Sequence, residues 1–327
     1  MHTAGLGELV ALSLGADIKA QVLYADDSAV MISTNAAPSK IGQLPYLKNS
    51  FVVLGSIPRR RGVGQAVDRA ASDLGRWSLR RTGKPFRLMF SEDGQLVGVP
   101  GGSRSRLESA VARATGGRVN PRGGGDEYWT IARRDLDQVL FCQRIQRPKR
   151  REPAKGSLAP DLAQLIVNAV GRARRDDVVL DPFAGTGALI AARVELPFRE
   201  AICSDLGYQD GSVTLLPRLA GRSGVRTLTD DARSLASIPD DSVDVVVTDP
   251  PWGEFEDSEQ PEVLLDQALA GIARVLRPGG RIAMLVSRRM AGTVKDTWSR
   301  HQLRPQKSYD LLVNGHPATV LVGKAAG

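Results

Sequence analysis

The chain has 327 residues, long enough for two or three domains with a sizeable core, and carries 44 Lys and Arg against 36 Asp and Glu. No apolar stretch approaches the roughly 18–20 residues of a membrane span, and the N-terminus lacks the basic-then-apolar pattern of a signal peptide. Cys142 and Cys203 form neither a disulfide framework nor a metal-ligand pair, and His2, His301 and His316 are scattered, so a cytoplasmic protein without a zinc site or a His-based triad is expected.

Charge divides the chain. Residues 1–150 hold 23 Lys and Arg and 13 Asp and Glu, a net of +10, whereas residues 151–327 hold 21 and 23, a net of −2. The first half suits a polyanion and the second a near-neutral enzyme core. In chain order, residues 5–35 predict a helix and two strands. The basic cluster Arg59-Arg60-Arg61 follows, then Arg80-Arg81. Strands are expected around 86–98 and 126–142, with a helix over 103–115 between them; Gly116-Gly117 and Gly123-Gly124-Gly125 are loop signals. Residues 146–155 are polar, basic and punctuated by proline, which reads as a linker containing Lys149, Arg150 and Arg151.

The second half alternates strand and helix patterns. Asp177–Asp181, Ala201–Asp205, Arg226–Asp231 and Val243–Thr248 read as strands, with Asp249 at the tip of the last. An amphipathic helix over 261–276 stops at Pro278-Gly279-Gly280, a fifth strand covers 281–287, and 308–313 with 317–323 flank Asn314-Gly315 as a terminal hairpin. This alternation predicts an α/β fold with a doubly wound, Rossmann-like sheet, whose ligands bind beyond the carboxyl ends of the strands. Asp181, Asp205, Asp231 and Asp249 would then share one rim, which suggests a polar cofactor.

In Asp181-Pro182-Phe183-Ala184-Gly185-Thr186-Gly187 the glycines permit a tight turn and close approach of a ligand to the backbone, ahead of a helix N-terminus with free N–H groups. Position 190 is isoleucine, so the dinucleotide pattern G-x-G-x-x-G is broken, which disfavours a nicotinamide oxidoreductase. Asp205 is placed to accept both ribose hydroxyls. Asp231 can accept from an adenine amino group while the Ala232 N–H donates to a ring nitrogen. Asp249-Pro250-Pro251-Trp252 sets a carboxylate, a stiff carbonyl and a flat ring at one point. The two acceptors suit an exocyclic amino group, and the ring suits the face of its base.

Those blocks, with Leu276-Arg277-Pro278-Gly279-Gly280, resemble in order the motifs of class I methyltransferases that use S-adenosylmethionine. The first block and the D-P-P-aromatic turn are similar to the amino-methylating branch. Lys155-Gly156-Ser157-Leu158 resembles the lead-in of tRNA guanine-N2 methyltransferases that carry a THUMP domain, and His2–Leu9 resembles the opening of that family's ferredoxin-like region. The resemblance implies a ferredoxin-like region over 1–48, a divergent THUMP-like RNA-binding domain over 49–145, a linker over 146–155 and a methyltransferase domain over 156–327. It implies a cofactor held by Ser157, Leu158, Asp181, Phe183, Ala184, Gly185, Thr186, Gly187, Asp205, Leu206, Asp231 and Ala232; a base held by Asp249, Pro250, Pro251 and Trp252; and a structured RNA, such as tRNA, met by Arg59, Arg60, Arg61, Lys149, Arg150 and Arg151. No metal and no membrane enter this reading. Relatives usually carry Tyr or Phe where this chain has Trp252, which leaves adenine-N6 methylation of RNA or DNA open beside guanine-N2 methylation of tRNA. A non-catalytic RNA-binding protein with a retained fold is the alternative from another class. A carboxylate of ordinary pKa at Asp249 would be a weak base, so proton loss to water is as plausible as loss to Asp249. Residues 49–84 match no named pattern, and the segment after Asp205 lacks the family's A-x-x-N run.

Overall fold

A computed structural model of the chain describes residues 1–59, 63–148, 157–252 and 261–327. Arg60, Arg61, Lys149, Arg150, Arg151, Lys155 and Gly156 lie outside the described residues. The chain forms two compact units, one of Met1 with Ile18–Lys149 and one of His2–Asp17 with Arg150–Gly327. Residues 1–48 are therefore divided between them, and helix α1 (Gly7–Ile18) runs from the second unit into the first.

The first unit contains the hairpin β1 (Gln21–Ala25) and β2 (Val30–Ser33), α2 (Pro38–Gln43), β3 (Phe51–Pro58), α3 (Val63–Asp73), β4 (Phe86–Glu92), β5 (Gln95–Leu96), α4 (Gly101–Thr115), β6 (Asp126–Ala132) and β7 (Gln138–Arg144). Its five-stranded sheet has the order β3-β7-β6-β4-β5, and only β4 and β6 run parallel. Alternate residues of β4 and β6, among them Phe86, Leu88 and Tyr128, face Val67, Leu107 and Val111 of the two longer helices to make the core. Residues 49–84, silent as sequence, supply the outer strand β3 and the core helix α3 of this sheet.

The second unit adds α5 (Pro160–Ala169), β8 (Val178–Asp181), α6 (Ala188–Arg193), β9 (Glu200–Ser204), the short α7 (Gly207–Asp210), β10 (Val225–Leu228), β11 (Val243–Thr248), α8 (Pro261–Val275), β12 (Leu276–Ser287), α9 (Ala291–Arg300), β13 (Leu303–Val313) and β14 (His316–Ala325). Its seven strands follow the order β10-β9-β8-β11-β12-β14-β13, parallel from β10 to β12 and closed by the antiparallel hairpin. Strand order reverses between β8 and β11, so a crevice opens at their carboxyl ends. The central strands are buried on both faces, which explains their unbroken Val and Ile runs.

Two expected boundaries move. The third strand stops at Leu228, leaving Asp231 in the following turn, and the fifth begins at Leu276. Its register against β11 shifts between Val243 and Val245, which accommodates Pro278-Gly279-Gly280, with Gly279 at φ +72°.

The segment 2–17 lies against the edge strand β13. Gly5 has φ +86°, and a Cβ there would stand 1.9 Å from the carbonyl oxygen of Asp310, so only glycine fits. Lys307 pairs with Glu8, the Thr3 hydroxyl donates to Asp161 at 3.1 Å, and Asn168 Nδ2 donates to Ser13 Oγ at 3.0 Å. Leu6, Leu9, Val10 and Leu14 are buried.

Candidate active site

The site is built from the loops that leave β8, β9 and β11. Asp181 ends β8 and is buried; the Phe183 N–H donates to it at 3.2 Å. Burial pushes its carboxyl up to about 8, and the charges of Asp249 and Asp205 push the same way. After Asp181 the chain turns through Gly185 (φ +50°) and Gly187 (φ +82°) into α6. A Cβ on Gly187 would lie 2.6 Å from Leu219 Cδ1 and 2.8 Å from Leu215 Cδ1, whereas one on Gly185 would meet open space. Gly187 is thus fixed by packing, and Gly185 presents bare backbone to a cleft.

Asp205 follows β9 and stitches the two loops together. Its Oδ2 accepts from the Gly185 N–H at 2.8 Å and its Oδ1 from the Gly207 N–H at 2.9 Å. A carboxylate has about four acceptor positions, so each oxygen keeps one for a vicinal diol. Leu206 beside it is 51% exposed, an apolar side chain left available to a flat ring. The Thr186 hydroxyl donates to Ser157 Oγ at 3.0 Å, which brings the segment before α5 to the glycine turn, with Leu158 half-buried next in line. Ala184 is buried, and its N–H donates to the Ser204 carbonyl at 3.0 Å.

Sequence reasoning missed Tyr208. Its hydroxyl donates to the Gly185 carbonyl at 2.7 Å, fixing the turn from the far side, and burial raises its pKa. The signal was present: a tyrosine three residues beyond a strand-ending acid, in the segment that lacks the usual A-x-x-N run. Asp231 is in a different state from that expected of a free acceptor. Its carboxylate takes the Arg233 N–H at 2.9 Å and the guanidinium of Arg233 at 2.6 Å, and these bonds hold its pKa down. Ala232, next to it, is buried.

Asp249 and Trp252 form the second pole. Trp252 Nε1 donates to Asp249 Oδ1 at 3.1 Å, and among the described residues no hydrogen bond takes up Oδ2, which suits an incoming amino group. Asp249 is half-buried; desolvation pushes its carboxyl up to about 7, with the indole N–H pulling the other way. The expectation of an ordinary carboxylate pKa is therefore overturned, and a group near 7 can take up a proton at neutral pH. Pro250 is buried and Pro251 exposed, which sets the turn rigidly on the end of β11.

Arg59, the one described member of the expected RNA-contacting set, is engaged within its own unit. Its guanidinium donates to the carbonyls of Arg133 at 2.5 Å and Arg134 at 3.3 Å and pairs with Glu92 at 2.8 Å.

Superposition on solved structures decides the architecture. The crystal structure of TrmN from Thermus thermophilus matches with a TM-score of 0.76 over 99% of this chain and 98% of that one, at 24% identity. The fold is that of a class I methyltransferase. Residues 219–315 also match the UPF0020 family, described as an RMKL-like methyltransferase domain. By sequence, the chain is 32% identical over 176 residues to the tRNA (guanine(10)-N2)-dimethyltransferase of Methanothermobacter thermautotrophicus. That alignment spans 49% of this chain and 51% of the relative, so the chain covers about half the length of the curated protein it resembles. No helix among the described residues is long and apolar enough to cross a membrane, and no group of three or more His, Cys, Asp or Glu among them could hold a metal ion.

Proposed function

We propose that this chain is an S-adenosylmethionine-dependent methyltransferase that modifies the exocyclic N2 of a guanosine in tRNA, and that residues 49–145 act as its divergent THUMP-like RNA-binding domain. The observation that carries this reading is the carboxylate of Asp249, half-buried on the end of β11, held on one oxygen by Trp252 and with no hydrogen bond to the other among the described residues. The residues of the glycine turn fit the cofactor: Asp205 keeps acceptor capacity for the ribose, Leu206 offers an apolar face for adenine, and Gly185 faces open space. Bound there, S-adenosylmethionine supplies a sulfonium methyl that is already a strong electrophile.

The chain's own work is orientation and charge. The lone pair of an aromatic amino group is delocalised into its ring and is a poor nucleophile. Asp249 Oδ2 and the Pro250 carbonyl, each accepting one N–H, draw that nitrogen out of conjugation and stabilise positive charge as it forms. In-line approach within about 3–3.5 Å is the geometric requirement, and the rigid Asp-Pro-Pro turn holds the acceptors for it. Held by Asp205 and the glycine turn, the cofactor would supply the methyl group with a neutral thioether as leaving group, and Asp249 would take the amine proton. Trp252 stacks on the base for about 1–3 kcal/mol. Incubation with unmodified tRNA and labelled cofactor, followed by nucleoside mass spectrometry, is expected to give N2-methylguanosine. N6-methyladenosine would move the target to adenine, and tRNA binding without transfer would make the chain a binding protein.

The Trp252–Asp249 bond gives a second check. Trp252→Phe keeps a flat face and removes the donor. The N–H favours the ionised carboxylate, so its loss raises the Asp249 pKa above about 7, and the acid limb of the rate profile is expected to move up by about one pH unit. The rate deficit therefore narrows as pH rises toward about 9; a deficit constant with pH would assign Trp252 to stacking alone.

A further inference from the structure

Two stretches of the first unit carry cations and no acid. Residues 74–90 hold Arg76, Arg80, Arg81, Lys84 and Arg87, residues 109–125 hold Arg113, Arg118 and Arg122, and neither stretch contains an Asp or Glu. The fold sets them side by side. Parallel pairing of β4 with β6 begins at Phe86 and Asp126, and the loops ahead of both strands are laced by the Gly83 N–H to the Thr115 carbonyl, Phe86 to Arg118, Asn120 to Phe86 and Asp126 to Pro85, at 2.7–3.0 Å. The Asn120 side chain closes its own loop by donating to the Gly123 carbonyl at 2.5 Å.

Arg76 and Arg87 pair with Asp73 and Glu127, each of which also pairs with a second arginine, Arg69 and Arg144. The other six are exposed and make no ion pair with any described residue. Asp126, the acid nearest in sequence, is buried and accepts from Thr82 at 3.0 Å. Six like charges on one end of a small sheet repel within a Debye length of about 8 Å, and an anionic partner relieves that repulsion. Val119 is the one large apolar side chain exposed among the described residues of these stretches. A bilayer surface or the core of a protein interface calls for several apolar or aromatic anchors, whereas a phosphodiester backbone calls for cations on a firm scaffold.

We propose that this paired-loop rim, built from Arg80, Arg81, Lys84, Arg113, Arg118 and Arg122, is where the first unit grips the phosphate backbone of its RNA. The rim, rather than Arg59, carries the salt-sensitive part of binding. This rests on the reading above that the substrate is an RNA, and binding is measured apart from methylation so that the two stand or fall separately.

The test uses the full chain with Arg80, Arg81, Lys84, Arg118 and Arg122 all changed to Ala, against a control in which the exposed Lys19, Lys40, Arg199, Arg304 and Lys324 are changed to Ala for the same loss of charge. Unmodified tRNA is titrated from about 50 to about 200 mM salt. The rim variant is expected to bind at least about tenfold more weakly, and the slope of log K against log salt is expected to flatten by about 0.7–0.9 for each phosphate the rim no longer neutralises, or about 4 in all. A far-UV circular dichroism spectrum and thermal unfolding transition like those of wild type show that it is folded. Affinity and slope equal to wild type would overturn the proposal, as would an equal loss in the control. Unchanged tRNA binding with lost binding to phosphatidylserine vesicles would assign the rim to membranes instead. A wild type that binds tRNA without methylating it leaves the rim standing and removes the activity; a wild type that does not bind tRNA removes both.

Discussion

Asp249→Asn is expected to lower single-turnover methyl transfer to tRNA by about 100- to 1,000-fold, the range seen when one preorganised polar group is removed from a developing charge. The substitution keeps the size of the side chain and one carbonyl acceptor, and it removes the negative charge and the proton-accepting oxygen. Because burial sets the carboxyl near 7, wild-type transfer should rise as pH increases through about 7, the ionised form being the active one, and level off above about 8. In Asp249→Asn that limb should disappear along with the rate. Cofactor affinity should change little, since the proposed function assigns that ligand to Asp205 and the glycine turn. A loss of less than about threefold, or an acid limb that persists in the variant, would take Asp249 out of the chemistry.

Asp177→Ala is expected to produce the largest loss of stability. At the start of β8, the opposite end of that strand from the site, Asp177 is buried between two arginines. Its Oδ2 accepts from Arg193 at 2.6 Å and its Oδ1 from Arg281 at 2.9 Å, while the Arg174 N–H adds a bond at 2.9 Å. Arg193 is 1% exposed and also donates to the Pro197 carbonyl at 2.7 Å. Removing the shared carboxylate leaves two guanidinium groups with their charge uncompensated, one of them fully buried, which costs about 3–5 kcal/mol. At about 2–4 °C per kcal/mol for a unit of this size, the melting temperature falls by about 6–20 °C. The combined variant Asp177→Leu, Arg193→Met, Arg281→Met removes all three charges and should recover most of that loss. A triple variant no more stable than Asp177→Ala would show that the cluster contributes through its hydrogen bonds to the backbone rather than through charge balance.

The parts that were legible in sequence share a property: each is written in consecutive residues. The apolar runs gave the parallel strands, Asp181-Pro182-Phe183-Ala184-Gly185-Thr186-Gly187 gave the turn onto α6, and Asn314-Gly315 gave the β13–β14 hairpin. What escaped depends on partners far apart in the chain. Arg59 reads as a member of a basic cluster, and only folding brings Glu92 and the carbonyl of Arg133 to its guanidinium. The pKa of Asp249 is invisible in Asp-Pro-Pro-Trp because it arises from desolvation by the surrounding fold. Asp231 sits beyond its strand because Arg233, two residues on, offers the carboxylate a local partner and a turn.

The docking of residues 2–17 onto the second unit has a consequence for synthesis. Thr3 waits 158 residues for Asp161, and Glu8 waits 299 for Lys307. During translation the whole first unit is made while Leu6, Leu9, Val10 and Leu14 still lack their buried environment, so the second unit closes late and over a long loop. The first unit is in effect an insertion within the second. A fragment begun at residue 157 would be missing a helix of its own unit, and a faithful minimal version would need residues 2–17 spliced back onto it.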